Sequence, residues 1–382
     1  TMVKRKMLTH YFGLITDQRQ STKIKHKLTS ILFIAVVATL ANCDSWVAIE
    51  DFANDRIDFF KKYLTLPYGI PSHDTLQRVF EWIDPKEFRS SFMKWIEEIS
   101  ASLNGSVIAI DGKTICGARN TAEEKSAIHI VSAWASKYRI VIGQVKTAEK
   151  SNEITAIPEL LKLLDINGCI VTTDAMGCQK NIVKAIVDKN SDYVLALKGN
   201  QKLFYEEVKE YLDDAVETDF KDIPYNYTKT VDKGHGRNEE REYYITENIN
   251  WLSTRSEWKN LKSIGIAIRK SEEKGKITVE KRYYISSLPA DAVKFSNAVR
   301  KHWGIESMHW VLDVVFNEDS NRTRKEHSPE NLSLLRKFAL NILRNIETEK
   351  PMTGPRKRAK AMTNQDFLDS IVKHTFLGVV QI

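Results

Sequence analysis

Cysteine is scarce and scattered. Four stand in 382 residues, Cys43, Cys116, Cys169 and Cys178, and no two form a C-x-x-C pair. A chain this long has no need of disulfide staples, and without clustered ligands there is no zinc site, so the thiols read as reduced and the protein as cytoplasmic. Sixteen glycines and nine prolines are too few for a linker-rich or collagen-like chain. No repeat or low-complexity tract occurs. The longest apolar run, Ile31 to Leu40, is far below the ~20 residues of a membrane span. The basic, polar first thirty residues carry no signal-peptide pattern. The expectation is a soluble protein with no membrane partner.

What remains is an ordinary globular balance, 42% hydrophobic and 28% charged, over a length that at ~100–200 residues per domain allows two or three domains. Lys+Arg exceed Asp+Glu by 57 to 50, a net charge of +7. The excess is uneven. Lys4, Arg5, Lys6, Arg19, Lys23, Lys25 and Lys27 face only Asp17, and Arg356, Lys357, Arg358 and Lys360 form a second cluster. Such clusters suit phosphate backbones, although solvated tails have the same composition.

Residues 21–103 carry helical spacing. Lys27–Ala41 is apolar all round, as in a buried helix, and Asp74–Phe80, Pro85–Phe92 and Trp95–Leu103 follow, with Ser72 or Asp74 as an N-cap. Asn104-Gly105-Ser106 breaks the pattern and marks a boundary. Beyond it come strands at Val107–Ile110, Ile128–Ala135 and Arg139–Val145, then helix Glu153–Leu164, strand Cys169–Thr173, helix Gln179–Asp188, strand Tyr193–Leu197 and helix Gln201–Ala215. The order β-β-β-α-β-α-β-α predicts an α/β fold, a ribonuclease H-like mixed sheet; a Rossmann domain would open β-α-β with a glycine-rich turn. Residues 216–286 read as a β-rich insertion with strands near Tyr243–Ile245, Ile264–Ile268 and Tyr283–Ile285. Helix returns from Asp291 to about Ile346, and Gln365–Val372 is a last short helix. The divisions are thus an N-terminal helical domain over 1–104, a core over 105–348, and a basic C-terminal tail over 349–382.

Asp111 ends the first strand of the α/β region and Asp174 the fourth, both where ligand sites form in open sheets. Strands one and four are neighbours in a ribonuclease H-like sheet, so two carboxylates 63 positions apart would converge. Paired carboxylates repel unless a proton or a divalent cation lies between them, and Mg²⁺ accepts such hard oxygen ligands. The structural alternative is an Asp-Gly turn at Asp111 and a helix cap at Asp174. Farther on, steps of four, three and four put His302, Glu306, His309 and Asp313 on one helix face, with Ile305, Met308, Leu312 and Val315 on another. That makes Glu306 the third acid, with Glu318 and Asp319 as rivals; Gly304 threatens a break just before it. Lys198, Asn200 and Gln201 follow the fifth strand, where a helix N-terminus suits phosphate or a simple cap. His235 and Arg237 sit at a charged turn, and Arg322, Arg324 and Lys325 follow the third acid. Gly112-Lys113-Thr114 lacks the upstream glycine of a P-loop.

Several of these segments are familiar together. Asp111-Gly-Lys-Thr, His129-Ile-Val-Ser-Ala-Trp134, Glu149-Lys-Ser-Asn-Glu153, Thr173-Asp-Ala-Met-Gly-Cys-Gln179, Asp192 through Gln201, His235-Gly-Arg237, Tyr283-Tyr-Ile-Ser-Ser287 and His302-Trp-Gly-Ile-Glu306 resemble the H-repeat-associated insertion-sequence transposases, in the same order and over most of the chain. The resemblance implies a DDE transposase whose three acids fall on Asp111, Asp174 and Glu306. In the wider superfamily a tyrosine, an arginine and a lysine flank the glutamate; here those positions hold Val299, His302 and Asp313, leaving Arg300 or Lys301 to contact phosphate. It implies two Mg²⁺ ions about 3.5–4 Å apart, replaceable by Mn²⁺, one helping to make hydroxide and the other stabilising the leaving 3′-oxygen. The implied partners are double-stranded DNA, as terminal inverted repeats and as target, and a second copy of the chain, at the bacterial nucleoid. A ribonuclease H-like nuclease without strand transfer and a non-catalytic DNA-binding protein are the alternatives.

Overall fold

Local chemistry accounts for the helical first hundred residues. A computed structural model describes residues 7–100, 102–118, 127–147, 152–234, 237–273 and 275–376; Lys4 to Lys6, Glu149 to Ser151 and His235 lie outside the described residues. The helices are α1 (Leu8–Phe12), α2 (Leu28–Leu40), α3 (Trp46–Asp55), α4 (Ile57–Lys61), α5 (His73–Trp82) and α6 (Pro85–Ile99). Every residue of α2 from Ile31 to Leu40 is buried, as its apolar circumference requires. Side-chain oxygens of Ser45, Ser72 and Asp84 cap α3, α5 and α6. Where the spacing predicts two helices, α6 is continuous: no breaker separates Phe92 from Trp95, and Phe88, Phe92 and Trp95 all pack on the Phe338 ring.

The chain then alternates through β1 (Val107–Ile115), β2 (Ile128–Ala135), β3 (Ile140–Lys146), α7 (Glu153–Leu163), β4 (Ile170–Thr173), α8 (Lys180–Val187), β5 (Asp192–Leu197) and α9 (Lys202–Glu217). Four long strands follow, β6 (Asn226–Gly234), β7 (Arg237–Thr246), β8 (Ser263–Glu273) and β9 (Lys276–Ser286). All nine form one mixed sheet in the order β3-β2-β1-β4-β5-β9-β8-β7-β6. β1, β2 and β3 are antiparallel, β1, β4 and β5 are parallel, and β9 joins β5 antiparallel, Leu197 opposite Tyr283. The strand-rich 216–286 segment therefore continues the central sheet. Its strands run longer than their apolar stretches suggest because the outer halves are charged on both faces and held by cross-strand ion pairs such as Arg241–Asp232 and Lys229–Glu240.

The last helices are α10 (Ala292–Val314), α11 (Ser328–Asn345), α12 (Gly354–Thr363) and α13 (Gln365–Phe376). The helical reading from Asp291 to Ile346 is interrupted at 315–327, where Asn317 and Glu326 adopt positive φ. Helix α11 is the buried axle of the molecule. Asn331 Nδ2 donates to the carbonyls of Phe80 and Ile83 at the end of α5, both at 2.9 Å. The Asn341 amide bonds both backbone groups of Val141 on edge strand β3, at 3.0 and 2.8 Å, which blunts that edge. The C-terminal basic cluster is not simply a solvated tail. Lys357 Nζ donates to the last carbonyls of α11, Leu343 and Ile346 (2.7 and 2.6 Å). Arg358 is wholly buried, bonded to Thr39 O, Asp44 Oδ1 and Val315 O. Among the described residues no helix is long and apolar enough to cross a membrane.

Candidate active site

Strand β1 does not stop at Asp111; its pairing with β2 continues to Ile115 opposite Ile128. The parallel partner β4 stops at Thr173 opposite Ile110, so Asp111 is the first residue past the parallel pairing and Asp174 directly follows β4. Gly112 is accordingly a strand residue and no turn glycine. A Cβ there would collide with Glu153 Oε1 and His129 Nε2, and its absence leaves room for the pair those two side chains make, at 2.8 Å. Thr114 Oγ1 holds the other ring nitrogen of His129 at 2.9 Å.

Glu153 is the first residue of α7, and it completes a carboxylate cluster. Asp111, Glu153 and Asp174 each present an oxygen so that all lie within 4.8 Å of one another. Asp174 Oδ1 also accepts the N–H groups of Met176 and Gly177, at 3.0 and 3.3 Å, so the capping role and membership of the cluster coexist. Burial first, then the charges of Asp174 and Glu153, push the Asp111 carboxyl up to about 7. The Asp174 carboxyl is also raised, by burial and by Glu153, against the pull of the Gly177 N–H. Such mutual repulsion is what an oxygen-ligated divalent cation relieves.

Helix α10 crosses this end of the sheet unbroken. Gly304 is there because a Cβ would strike the Trp134 indole of β2, so a residue that threatens a break instead lets helix and sheet approach. His302 Nδ1 meets Thr172 Oγ1 at 3.0 Å, and burial pushes its ring down to about 4; it faces β4 and not solvent. His309 Nδ1 lies 3.6 Å from Asp111 Oδ2. Glu306, between them and exposed, is raised by burial and by Asp174 while Arg282 opposes the shift. The α10 face thus brings Glu306 into the field of Asp111 and Asp174, outside the tight cluster.

The rival acids have other partners. Glu318 is 1% exposed and bonded to Lys113 Nζ at 2.8 Å. Burial alone would raise it, but Lys337, Lys113 and Arg336 hold it down to about 2. Lys113 also binds Asp313, and Asp319 Oδ1 accepts the Cys116 N–H at 3.3 Å.

The polar residues around the site divide. Lys198 is exposed and near enough to Asp174 to lower its carboxyl. Asn200 and Gln201 are spent internally: Asn200 Nδ2 donates to Ala175 O (2.7 Å) and Gln201 Nε2 to Cys178 O (3.0 Å), clamping the loop after Asp174. Arg237 opens β7. Arg300 reaches Thr230 and Asp232 on β6. Lys301 is half-buried on α10, Arg322 is exposed, and Arg324 Nε donates to Gly117 O at 3.3 Å. Glu153 closes one of the segments that carry the resemblance but is given no site role by the sequence, and Arg282 is not singled out at all: an acid in a helix's first turn and an arginine in a charged strand are commonplace.

Comparison with known proteins identifies the family. A family model described as "Transposase DDE domain" matches residues 103–342, and one described as "DDE_Tnp_1-associated" matches 9–96. "Putative transposase YncI" of Escherichia coli O157:H7 is 43% identical over 96% of this chain and 94% of its own. "H repeat-associated putative transposase YhhI" and "Putative protein YbfL" of strain K12 are each 39% identical over 96% of this chain and 98% of theirs. The chain belongs to the DDE transposase family, among relatives that include H repeat-associated members.

Proposed function

We propose that the protein cleaves DNA at the ends of an insertion element and transfers the freed 3′-hydroxyl ends into target DNA. The observation that carries this is the convergence of Asp111, Glu153 and Asp174 within 4.8 Å where the parallel pairing of β1 with β4 ends, with Glu306 facing them from α10. Asp111, Asp174 and Glu306 are the metal-holding acids, and Glu153 adds a fourth carboxylate. The donor set fits Mg²⁺ or Mn²⁺, since all of it is hard oxygen. Two such ions, when bound, supply an activated water and charge stabilisation for the leaving 3′-oxygen.

The chain's own groups prepare that chemistry. The His129–Glu153 and Asn200–Ala175 bonds fix the loops that carry the acids, so the carboxylates are held before substrate arrives. Lys198, Lys301 and Arg322 offer cations to phosphates nearby. The strand order β3-β2-β1-β4-β5, antiparallel then parallel, supports a ribonuclease H-like reading of that half of the sheet. We assign end recognition to residues 1–104, chemistry to 105–348 and support to 349–382. Joining two ends calls for two copies on DNA, working in the bacterial cytoplasm at the nucleoid.

The test is cleavage of labelled DNA carrying the element's ends with Mg²⁺, Mn²⁺, Ca²⁺ or EDTA. Nicking at the ends that needs Mg²⁺ or Mn²⁺ and is lost in Glu306→Gln supports the reading. Binding without cleavage in any metal overturns it.

A further inference from the structure

Beyond β5 the extended sheet and α10 part to leave a groove of about 280 Å³. Tyr243 and Tyr284 line it, each packed edge-on against Phe295. Arg282 of β9 and Trp303 of α10 line it as well. The Arg282 guanidinium lies 4.9 Å from the Trp303 ring centroid, and its Nε donates to Glu280 Oε1 at 2.8 Å. Both partners hold the planar fork in one orientation, yet the side chain stays 37% exposed. An exposed Arg–Glu pair alone contributes little to stability, which leaves the cost of ordering this arginine without a structural return.

Its place relative to the acids supplies one. Trp303 is one turn before Glu306 on α10, so the ring and the carboxylate share a helix face. Leu197 and Tyr283 are the last pair of β5 with β9, and Lys198 and Arg282 are the residues that adjoin that pair, one on each chain segment. Lys198 acts electrostatically on Asp174 and Arg282 on Glu306. Two cations therefore flank a cluster of carboxylates that by itself would repel any phosphate.

We propose that Arg282 binds the phosphodiester on which the acids act, with Trp303 as the positioning residue that aims it. A guanidinium suits this task, since its parallel N–H groups match two phosphate oxygens and it stacks on aromatic rings. The proposal rests on Asp111, Asp174 and Glu306 being the cleavage site.

The experiment measures binding in Ca²⁺ by fluorescence anisotropy. The probe is the terminal duplex of the element, with a neutral methylphosphonate at the cleaved phosphate or at each neighbour in turn. Wild type should bind the duplex neutralised at the cleaved phosphate about tenfold more weakly; a loss confined to a neighbouring phosphate would overturn the assignment. Arg282→Gln should bind ordinary DNA about tenfold more weakly and show no further loss on that duplex. Trp303→Ala should reproduce part of the defect and Trp303→Phe should restore it. Circular dichroism checks the fold of each variant, and Arg282→Lys, which keeps charge without the fork, should fall between. If Arg282→Gln keeps the full methylphosphonate penalty, or wild type shows none at any position, Arg282 does not touch that phosphate. If Trp303→Phe binds no better than Trp303→Ala, stacking does not position the arginine. Because the readout is binding, a protein that never cuts would sink the cleavage reading and leave this comparison standing.

Discussion

His309 Nδ1 sits 3.6 Å from Asp111 Oδ2, and its Nε2 is buried with no hydrogen-bond partner among the described residues. Burial, then the positive charges of Lys337 and Lys113, push this ring down to about 3. The imidazole is therefore neutral whenever the protein is folded and at work. It faces Asp111 as a polar wall and not as a counter-charge. Asp111, in contrast, is raised to about 7.

The first prediction concerns Asp111. Its carboxyl titrates at about 7 in the fold but in the ordinary carboxylate range when unfolded, so the native state binds the extra proton. The stability this gives is fully present below about pH 4 and is lost as pH rises through about 7. In EDTA, wild type should melt at a lower temperature at pH 7.5 than at pH 5.5. Asp111→Asn should remove most of that difference and gain on the order of 2 kcal/mol at pH 7.5, while cleavage is abolished. A variant no more stable than wild type at pH 7.5 would show that the carboxylates do not repel.

Gly112→Ala tests the space under the His129–Glu153 pair. The added methyl must displace one of them, with an expected cost of about 1–3 kcal/mol and a drop in cleavage of at least about tenfold, since a small misplacement of a catalytic group costs up to about a hundredfold. Unfolding in urea and cleavage rate, measured together, check it. Wild-type values in both would mean that Glu153 tolerates displacement.

Glu306→Gln and Glu318→Gln should differ in kind. Glu306 is exposed, so its change should leave unfolding within about 0.5 kcal/mol of wild type and abolish cleavage. Glu318 balances Lys113, Arg336 and Lys337 in the interior. Its loss leaves buried cations unmatched, at about 3–5 kcal/mol. Urea midpoints separate the two; a stable Glu318→Gln protein would contradict the network.

Gly304→Ala should run against helix propensity. Alanine would favour the helix by about 1 kcal/mol at an open position, but here it meets the Trp134 indole. The expected sign is destabilising, with Trp134 emission shifted to the red as the ring is displaced. A stabilised protein would show that Trp134 yields freely.

How much of this was legible follows from what each residue touches. The convergence of Asp111 and Asp174 could be read because apolar strands lead into both and the β-α order sets those strands side by side. The β1 boundary could not, since Asp111-Gly112 has turn composition and only the tertiary pair above Gly112 makes it a strand. Helix α2 announced itself by its apolar circumference. Helices α3 and α4 fall within the helical reading of 21–103 but have no bounds of their own there, because their apolar positions, Phe52, Phe59 and Phe60 among them, are interrupted by acids and arginine. The outer halves of β6 to β9 carry no burial signal at all. Arg358 is the extreme case: a basic residue among basic residues, buried because Asp44 and the Thr39 carbonyl, over 300 positions away, meet it there.

That distant bond has a consequence for synthesis. Phe376 packs edge-on against Phe33, with ring centroids 4.6 Å apart, and Arg358 bridges the end of α2 to the loop after α10. The helices of the first hundred residues emerge from the ribosome well before the groups at 354–376 that seal them. Until residues 354–376 are released, Phe33, Thr39 and Asp44 lack the contacts that segment makes with them, and a nascent chain carries an open apolar seam. Completion of the helical core is thereby tied to synthesis of residues 354–376, so a copy terminated before them would expose that seam.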